Sequence, residues 1–266
     1  MADSVEYALA RGRGDPQYWS WYFLEQRLHD GQAEWIMNAE ASTNVLATGN
    51  RWGKSFVCCV RHFHRCFYKL GAEWRYIDPI GEEVDTVAYR ETKYHTLHCA
   101  QGWDTVQLVW DHAYTLCDRP RLRPFIKARP RSGLINIQFV NGSKWVFRTL
   151  GENGQGVDGT SLYLVSIDEA GWMENLKWIL DNVVRVRVAD VQGMVDLVGT
   201  MKPGISRDFF KEASLAAVYT GKEIFFDFEA WAKAREEGNA GARVLREAPA
   251  GSDGLDSGRP VPAEPA

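Results

Sequence analysis

The stretch NVLATGNRWGKSFVCC, residues 44–59, decides the fold of this chain. An apolar run typical of a strand leads into Gly49, and a helical pattern follows the loop. Residues 53–55, Gly-Lys-Ser, form the end of a phosphate-binding loop, in which backbone N–H groups at a helix N-terminus converge on phosphates. The usual first glycine, five places before Gly53, is Thr48. The stretch predicts a strand–loop–helix nucleotide site with one departure from the usual pattern.

The chemistry of such a loop assigns a role to its polar residues. Lys54 would neutralise the β and γ oxygens of ATP, and the Ser55 hydroxyl would hold Mg²⁺. Gly-Lys-Ser also occurs by chance, so a strand-to-helix turn without a ligand is the alternative. The loop residues that we expect to contact ATP are Gly49, Asn50, Arg51, Trp52, Gly53, Lys54 and Ser55.

A second motif, LYLVSIDEAG, favours the nucleotide site. It places Asp168 and Glu169 at the end of an apolar strand, as expected for a strand covered on both faces. In a doubly wound sheet this motif and the loop lie at the same carboxyl edge, where ligands bind. We expect Asp168 to hold Mg²⁺ through water and Glu169 to orient and polarise the attacking water. Two adjacent acids favour hydrolysis, in which water accepts the phosphoryl group, over transfer of that group to another substrate.

The remaining patterns alternate between strand and helix. Helices are predicted over residues 1–40, 54–70, 82–117 (interrupted near Gly102), 174–182 and 207–217. Strands are predicted at WRYIDP, on both sides of Asn141-Gly142 in GLINIQFVNGSKWVFRTL, at GMVDLVGT and at KEIFFDF. The class predicted is α/β: a P-loop NTPase of the RecA-like, additional-strand type, with a largely parallel sheet flanked by helices. Residues 1–40 would be a helical segment, 41–235 the P-loop domain, and 236–266 a disordered tail.

Composition excludes several other classes of protein. The net charge of −4 over 266 residues is not that of a general nucleic-acid binder, and the N-terminus lacks the apolar core of a secretory signal. No apolar run approaches the ~18 residues of a membrane span, so no membrane is expected. The five cysteines lack CxxC pairs, which favours free thiols in a reducing compartment. Because a helix after a phosphate loop is normally buried, we expect Cys58, Cys59 and Cys66 in the core rather than, with His62, on a zinc ion.

These motifs resemble the ATPase half of the large terminase subunit of tailed bacteriophages. TGNRWGKS is similar to the family's arginine-containing loop, and GENGQGVDG followed by LYLVSIDEAGW resembles its glycine-rich stretch and acidic strand. DGQAEWI, with Gln32, resembles the adenine-contacting element. DLVGTMKP, with Thr200, resembles the coupling motif that follows the next strand. The resemblance covers about residues 15–230.

The resemblance implies a motor that uses ATP and Mg²⁺ to move double-stranded DNA into a procapsid. It also implies a homo-oligomeric ring, commonly a pentamer, docked on the portal protein in the host cytoplasm together with the small terminase subunit. The family's arginine finger tends to lie in the glycine-rich stretch, where this chain has Asn153 and Gln155. Arg148 is therefore our candidate for the finger, and Arg51 is a candidate phosphate sensor in cis. The family's nuclease domain would begin where the tail lies, so no nuclease activity is expected in this chain.

A basic stretch, DRPRLRPFIKARPRSG, is the candidate DNA contact. Its prolines keep it extended, so it would touch phosphates without reading bases. A solvated loop or a contact between subunits is the equal alternative. The cations concerned are Arg119, Arg121, Arg123, Lys127, Arg129 and Arg131.

Two other functions fit parts of the same pattern. A helicase-like DNA translocase would need a second RecA-like domain or helicase motifs. A nucleotide-dependent assembly or clamp subunit with little turnover is favoured by Thr48 and the missing finger, whereas Lys54, Asp168 and Glu169 disfavour it.

Overall fold

The computed structural model describes residues 4–49, 51–76, 85–151, 154, 157 and 160–200, and two short strands at residues 224–226 and 245–247. The helices are α1 (Val5–Gly14), α2 (Pro16–Leu24), α3 (Asp30–Asn38), α4 (Lys54–Tyr68), α5 (Thr86–Glu91), α6 (Trp103–Leu116), α7 (Leu176–Ile179) and α8 (Arg185–Ala189). The strands are β1 (Thr43–Ala47), β2 (His95–Ala100), β3 (Ile126–Ala128), β4 (Asn136–Phe139), β5 (Lys144–Thr149), β6 (Leu164–Ile167), β7 (Met194–Gly199), β8 (Ile224–Phe226) and β9 (Leu245–Glu247).

Seven strands form one sheet in the order β1-β7-β6-β2-β5-β4-β3. The five strands from β1 to β5 in this order run parallel, whereas β4 and β3 continue the sheet antiparallel. Strand β7 lies between β1, which leads into the phosphate loop, and β6, which leads into the two acids. A strand inserted at this place defines the additional-strand type, so the predicted fold class is confirmed.

Local patterns predicted several of these elements correctly. The hairpin around Asn141-Gly142 forms between β4 and β5, and Gly142 has the positive φ of 86° that such a turn requires. The apolar runs LYLVSIDE and GMVDLVGT become β6 and β7. Helices α7 and α8 are joined by a π-helical turn, Leu180–Val184, so this helix extends beyond the predicted residue 182.

Two predictions of secondary structure were wrong. WRYIDP was predicted to be a strand, but Glu73–Arg75 form a 3-10 helix, and residues 77–79 lie outside the described residues. The predicted helical region 82–117 contains β2, which lies in the middle of the sheet. Its sequence, HTLHCA, has polar residues at Thr96 and His98, and both are completely buried. An apolar pattern therefore could not reveal this strand.

His98 belongs to a row of buried polar side chains across the sheet. The strand register places Asn44, Asp196, Ser166 and His98 side by side on β1, β7, β6 and β2. Helix α4 supplies partners to the row. Arg61 donates from Nε to Asp196 Oδ2 at 2.6 Å, and Asn44 donates to Asp196 Oδ1 at 2.9 Å. These bonds hold the helix that follows the phosphate loop against the sheet.

The rest of α4 is apolar or aromatic where it meets its neighbours. Cys58, Cys59 and Cys66 are buried in the core, as expected. Trp19 of α2 lies edge-on to Phe67, with 5.5 Å between ring centroids. The N-terminal helices and α4 therefore share one hydrophobic core.

Strands β8 and β9 pair antiparallel in a separate two-stranded sheet. Strand β8 falls within the predicted KEIFFDF strand, and β9 falls within the segment predicted to be disordered. The predicted helix 207–217 and the remainder of residues 236–266 lie outside the described residues, so the predicted domain boundaries stay predictions. No helix in the described part of the chain has both the length and the apolar character needed to cross a bilayer.

Candidate active site

Three parallel strands deliver the candidate site residues to one edge of the sheet. Ala47 of β1 pairs with Gly199 of β7, and Ile167 of β6 pairs with Leu197 of β7. The residues that follow β1, β7 and β6 are Thr48, Thr200 and Asp168. Parallel strands end at the same edge, so the loop after β1, Thr200 and the acidic pair become neighbours.

Lys54 joins two of these strand ends. Its side chain is buried, and its Nζ donates to Thr48 O at 3.3 Å, to Gly49 O at 3.0 Å and to Thr200 Oγ1 at 3.1 Å. The backbone of Thr48 adds a fourth connection, because its N–H donates to Gly199 O at 3.2 Å. The structure therefore places the lysine where the phosphate loop meets the end of β7, in contact with Thr200.

The loop itself depends on glycine at its last position. Gly53 has a φ of 92°, and a β-carbon there would lie 2.3 Å from Gln32 Nε2. The backbone conformation favours glycine, and a β-carbon would require the Gln32 amide to move away from the loop. Arg51 has a φ of 64° and is exposed.

Helix α3 braces this loop through Gln32. Its Nε2 donates to Trp52 O at 3.3 Å and to Gly53 O at 3.2 Å, and its Oε1 accepts from His29 N at 3.1 Å. Both polar atoms of the Gln32 amide are thus engaged by the protein. The expected contact of Gln32 with adenine stays a prediction, and the structure adds a bracing role that the sequence did not reveal.

His29 also braces the loop, and its ring packs against the side chain of Trp52. His29 Nδ1 accepts from Gln32 N at 3.2 Å, which assigns the ring proton to Nε2, and Nε2 lies 2.9 Å from Trp52 O. The two rings meet edge to face, with 4.7 Å between centroids. Trp52 therefore packs against the start of α3 and ties the phosphate loop to it.

The acidic pair has one buried and one half-buried member. Asp168 is 4% exposed, and burial raises the pKa of its carboxyl to about 6 although Lys54 opposes the shift. Asp168 Oδ1 accepts from Glu169 N at 2.9 Å. Glu169 has a φ of 51°, and its Oε2 is buried with no hydrogen-bond partner among the described residues. Such an atom is expected where a ligand or water completes the site.

The donor set at this edge fits a magnesium ion. Mg²⁺ takes oxygen ligands and is commonly held by one or two carboxylates together with phosphates and water. Asp168 would supply the carboxylate, and Ser55, in the first turn of α4 next to Lys54, would supply the hydroxyl. Across the described residues, no cluster of three or more histidine, cysteine, aspartate or glutamate side chains could hold a metal. A single carboxylate with a hydroxyl suits an ion that arrives with a nucleotide.

Sequence reasoning missed His98. This residue lies on β2, is completely buried, and has its Nε2 3.8 Å from Asp168 Oδ2. Burial lowers the pKa of the His98 imidazole to about 3, so the ring is neutral at physiological pH. The residue could not be found from the sequence, because β2 was predicted as part of a helix.

Two further candidate residues are Arg148 and Asn50. The structure describes Arg148 on another strand of the sheet and does not describe Asn50. Arg148 lies on β5 opposite Cys99 of β2, and β2 separates β5 from β6. It lines a cleft of about 420 Å³ that also includes Trp103 and Leu134. Asn50, like Asn153 and Gln155, lies outside the described residues. The roles of Arg148 and Arg51 stay predictions.

Most cations of the basic stretch contact the protein itself. Arg119 pairs with Glu25 at 3.5 Å, and Arg121 lies over the Tyr22 ring at 4.4 Å. Arg129 pairs with Asp118. Arg123 donates to Ile126 O, and Arg131 lies over the Tyr114 ring at 4.0 Å. Lys127 is exposed on β3. These contacts favour a structural part for several of the arginines, and the DNA contact stays a prediction.

Comparison with known proteins supports the fold. No known protein family matches the sequence, and no curated protein matches it either. The structure is similar to the large terminase ATPase domain of Thermus phage P74-26, at 14% identity over 84% of this chain and 90% of that chain, with a TM-score of 0.57. A mutant of the same domain gives 16% identity, 76% and 75% coverage, and a TM-score of 0.56. The chain therefore has the fold of a large terminase ATPase domain.

Proposed function

We propose that this chain is the ATP-hydrolysing motor domain of a large terminase, which moves double-stranded DNA into a procapsid. The observation that carries the proposal is the meeting of Lys54, Thr200, Asp168 and Glu169 at the carboxyl edge of three adjacent strands. A buried lysine, a hydroxyl and two acids at one strand edge are the groups that phosphoryl transfer to water requires. The likeness in fold to the phage terminase domain supports the same reading.

Each residue has a part that follows from its contacts. Lys54 would exchange its carbonyl acceptors in the loop for oxygens of the β and γ phosphates and keep Thr200 within reach. Glu169, whose Oε2 has no hydrogen-bond partner among the residues that the structure describes, would accept a hydrogen bond from the attacking water and orient it. Ser55 and Asp168 would hold Mg²⁺, which when bound neutralises charge on the phosphates.

The arginines and partners belong to the same proposal. Arg51, which is exposed in the loop, would contact the γ-phosphate in cis, and Arg148 would act as the finger toward the site of a neighbouring subunit. A ring of copies docked on the portal protein, supplied with DNA by the small terminase subunit in the host cytoplasm, is the assembly in which these roles operate.

Variants of the acidic residue and the lysine test ATP hydrolysis. Glu169→Gln keeps the shape of the side chain and removes its charge, so it should bind ATP and lose turnover. Lys54→Ala should lose binding, because the phosphates lose their buried cation. ATP binding and phosphate release are measured on the same preparations. ATP hydrolysis by Glu169→Gln at the wild-type rate would show the mechanism to be wrong.

A clamp-type subunit predicts a different result in this experiment. Thr48 at the usual glycine position is the observation that favours it. In that case the wild type would bind ATP and release no phosphate, with or without DNA and portal protein. Phosphate release by the wild type alone therefore distinguishes the motor from the clamp-type subunit.

The DNA contact has its own test. Replacement of Lys127 and Arg131 by glutamine should weaken duplex binding uniformly across sequences and make its salt dependence shallower. Arg11→Gln is the matched control, because Arg11 is an exposed, ion-paired arginine outside the basic stretch. Unchanged duplex binding after the double replacement would remove the basic stretch from the DNA contact.

A further inference from the structure

His98 is a buried histidine that has no hydrogen-bond partner in the described part of the chain. Its side chain is completely buried, and neither Nδ1 nor Nε2 has a partner among the described residues. A buried polar atom that is left without a hydrogen-bond partner destabilises the folded state. Native proteins keep such atoms rarely, and a functional role is one of the reasons for keeping them.

The neighbouring histidine of the same buried layer is fully partnered. His62 of α4 lies 3.0 Å from Thr96 Oγ1 and 2.9 Å from Ser166 Oγ, and its ring stacks on Trp145. Both ring nitrogens of His62 therefore lie within hydrogen-bond distance of a partner, as expected for a histidine with a structural role. The rings of His62 and Phe147 face His98 at 6.0 and 6.1 Å between centroids.

The nearest acid to His98 is the one assigned to magnesium. His98 Nε2 lies 3.8 Å from Asp168 Oδ2, which is too long for a hydrogen bond. The other carboxylate oxygen, Oδ1, already accepts from the backbone N–H of Glu169. A movement of about 1 Å between ring and carboxylate would bring Nε2 within hydrogen-bond distance of Oδ2.

We propose that His98 is a positioning residue for Asp168, whose Nε2–H donates to Asp168 Oδ2 when the carboxylate takes its nucleotide-bound position. The inference rests on the proposed function, since Asp168 must act toward a metal–nucleotide complex. With Oδ1 held by Glu169 N–H and Oδ2 held by His98, the orientation of the carboxylate is fixed from both sides. Partners of this kind orient carboxylates that hold metals, and their loss commonly weakens metal binding or activity 10–100-fold.

Three replacements of His98 separate positioning from packing. His98→Gln retains an N–H donor at about the reach of Nε2, His98→Asn retains a donor that is too short, and His98→Leu removes the donor while filling the volume. His64→Leu is the matched control, because His64 is another buried histidine of α4 and its Nε2 lies 2.7 Å from Gly12 O, in the N-terminal helices. The free energy of unfolding of each variant is measured by urea denaturation.

The probe is Mn²⁺ with a non-hydrolysable ATP analogue, and bound Mn²⁺ is counted by electron paramagnetic resonance. His98→Leu and His98→Asn should bind Mn²⁺ about 10–100-fold more weakly and need correspondingly more Mg²⁺ for half-maximal ATP hydrolysis. His98→Gln and His64→Leu should stay within about threefold of the wild type. If His98→Leu does not fold, the shorter amide of His98→Asn carries the same test.

Wild-type Mn²⁺ affinity in a folded His98→Leu or His98→Asn variant would overturn the inference and leave the proposed function standing. Failure of the wild type itself to bind Mn²⁺ with the nucleotide would overturn the proposed function. A loss of Mn²⁺ affinity in His98→Gln equal to that in His98→Leu would show that the ring shape, and not the donor, is what matters, and would also overturn the inference.

Discussion

Lys54 and Thr200 are 146 residues apart in the sequence, and Lys54 Nζ lies 3.1 Å from Thr200 Oγ1. The contact connects the first residue of α4 with the first residue after β7. If ATP binds as proposed, a movement of Lys54 at the phosphates would be transmitted to the end of β7 through this contact. The hydrogen bond between Lys54 and Thr200 is the physical connection through which Thr200 would perform the coupling role predicted for it.

Thr200→Val should lower the rate of ATP hydrolysis more than it lowers ATP affinity. The replacement keeps the shape and removes the acceptor, while Thr48 O and Gly49 O still hold the lysine. Hydrogen bonds to charged groups contribute about 1.5–3 kcal/mol, so a decrease in kcat of roughly tenfold or more is expected. Thr200→Ser, which restores the acceptor, should stay within a few fold of the wild type. Equal kcat in the valine and serine variants would contradict the coupling role.

Gly53→Ala should destabilise the loop for two separable reasons. The positive φ of 92° costs an alanine about 1–2 kcal/mol, and its β-carbon would collide with Gln32 Nε2. The double variant with Gln32→Ala removes the collision and leaves the backbone strain. We expect the double variant to recover part of the unfolding free energy, measured by urea denaturation. A double variant whose loss is the sum of the two single losses would show that the collision is not real.

Breaking the buried pair under α4 should be the most destabilising single change in the polar row. Arg61 and Asp196 are 2% and 0% exposed, so Asp196→Ala leaves a buried cation whose remaining ion-pair partner is the partly exposed Glu40, at 3.9 Å. The expected loss is about 3–5 kcal/mol in the free energy of unfolding. Arg61→Met combined with Asp196→Leu removes both charges and should recover most of that loss. Arg11, which is exposed and pairs with Asp15, is the control site, where a glutamine should leave the free energy of unfolding close to that of the wild type.

His64 should make the protein less stable as the pH falls. Burial lowers the pKa of its imidazole to about 3, with Arg65, Arg61 and Arg13 adding to the shift and Gly12 O opposing it. Since the folded pKa lies below the ordinary value of 6.5, only the unfolded chain binds the proton between the two values. The stabilisation is therefore present above pH 6.5 and is lost as the pH falls toward 3.

The slope is measurable against a variant that does not titrate. His64→Gln keeps an N–H donor toward Gly12 O. The difference in unfolding free energy between wild type and variant should shrink by roughly 1.4 kcal/mol for each pH unit below about 6. Parallel curves for the two proteins between pH 7 and 4 would show that His64 is not held neutral.

Much of the fold could be predicted because its signals are local. Three features are each encoded by fewer than twenty adjacent residues: the phosphate loop, the acidic pair after an apolar strand and the hairpin at Asn141-Gly142. Their backbone conformation depends on glycine, on helix starts and on the alternation of apolar residues. The two motifs together therefore determined the α/β class and the expected edge of the sheet.

Only the tertiary structure decided how these parts meet. Strand β2 was missed because its polar residues, Thr96 and His98, are completely buried, so no apolar period marks it. The contact of Lys54 with Thr200, the bracing of the loop by Gln32 and His29, and the position of His98 beside Asp168 all join distant segments. The sequence determined which chemical groups are present and which strands deliver them. The packing of α4 across parallel strands decided which of those groups touch, because side-chain contacts across a sheet depend on strand order and register.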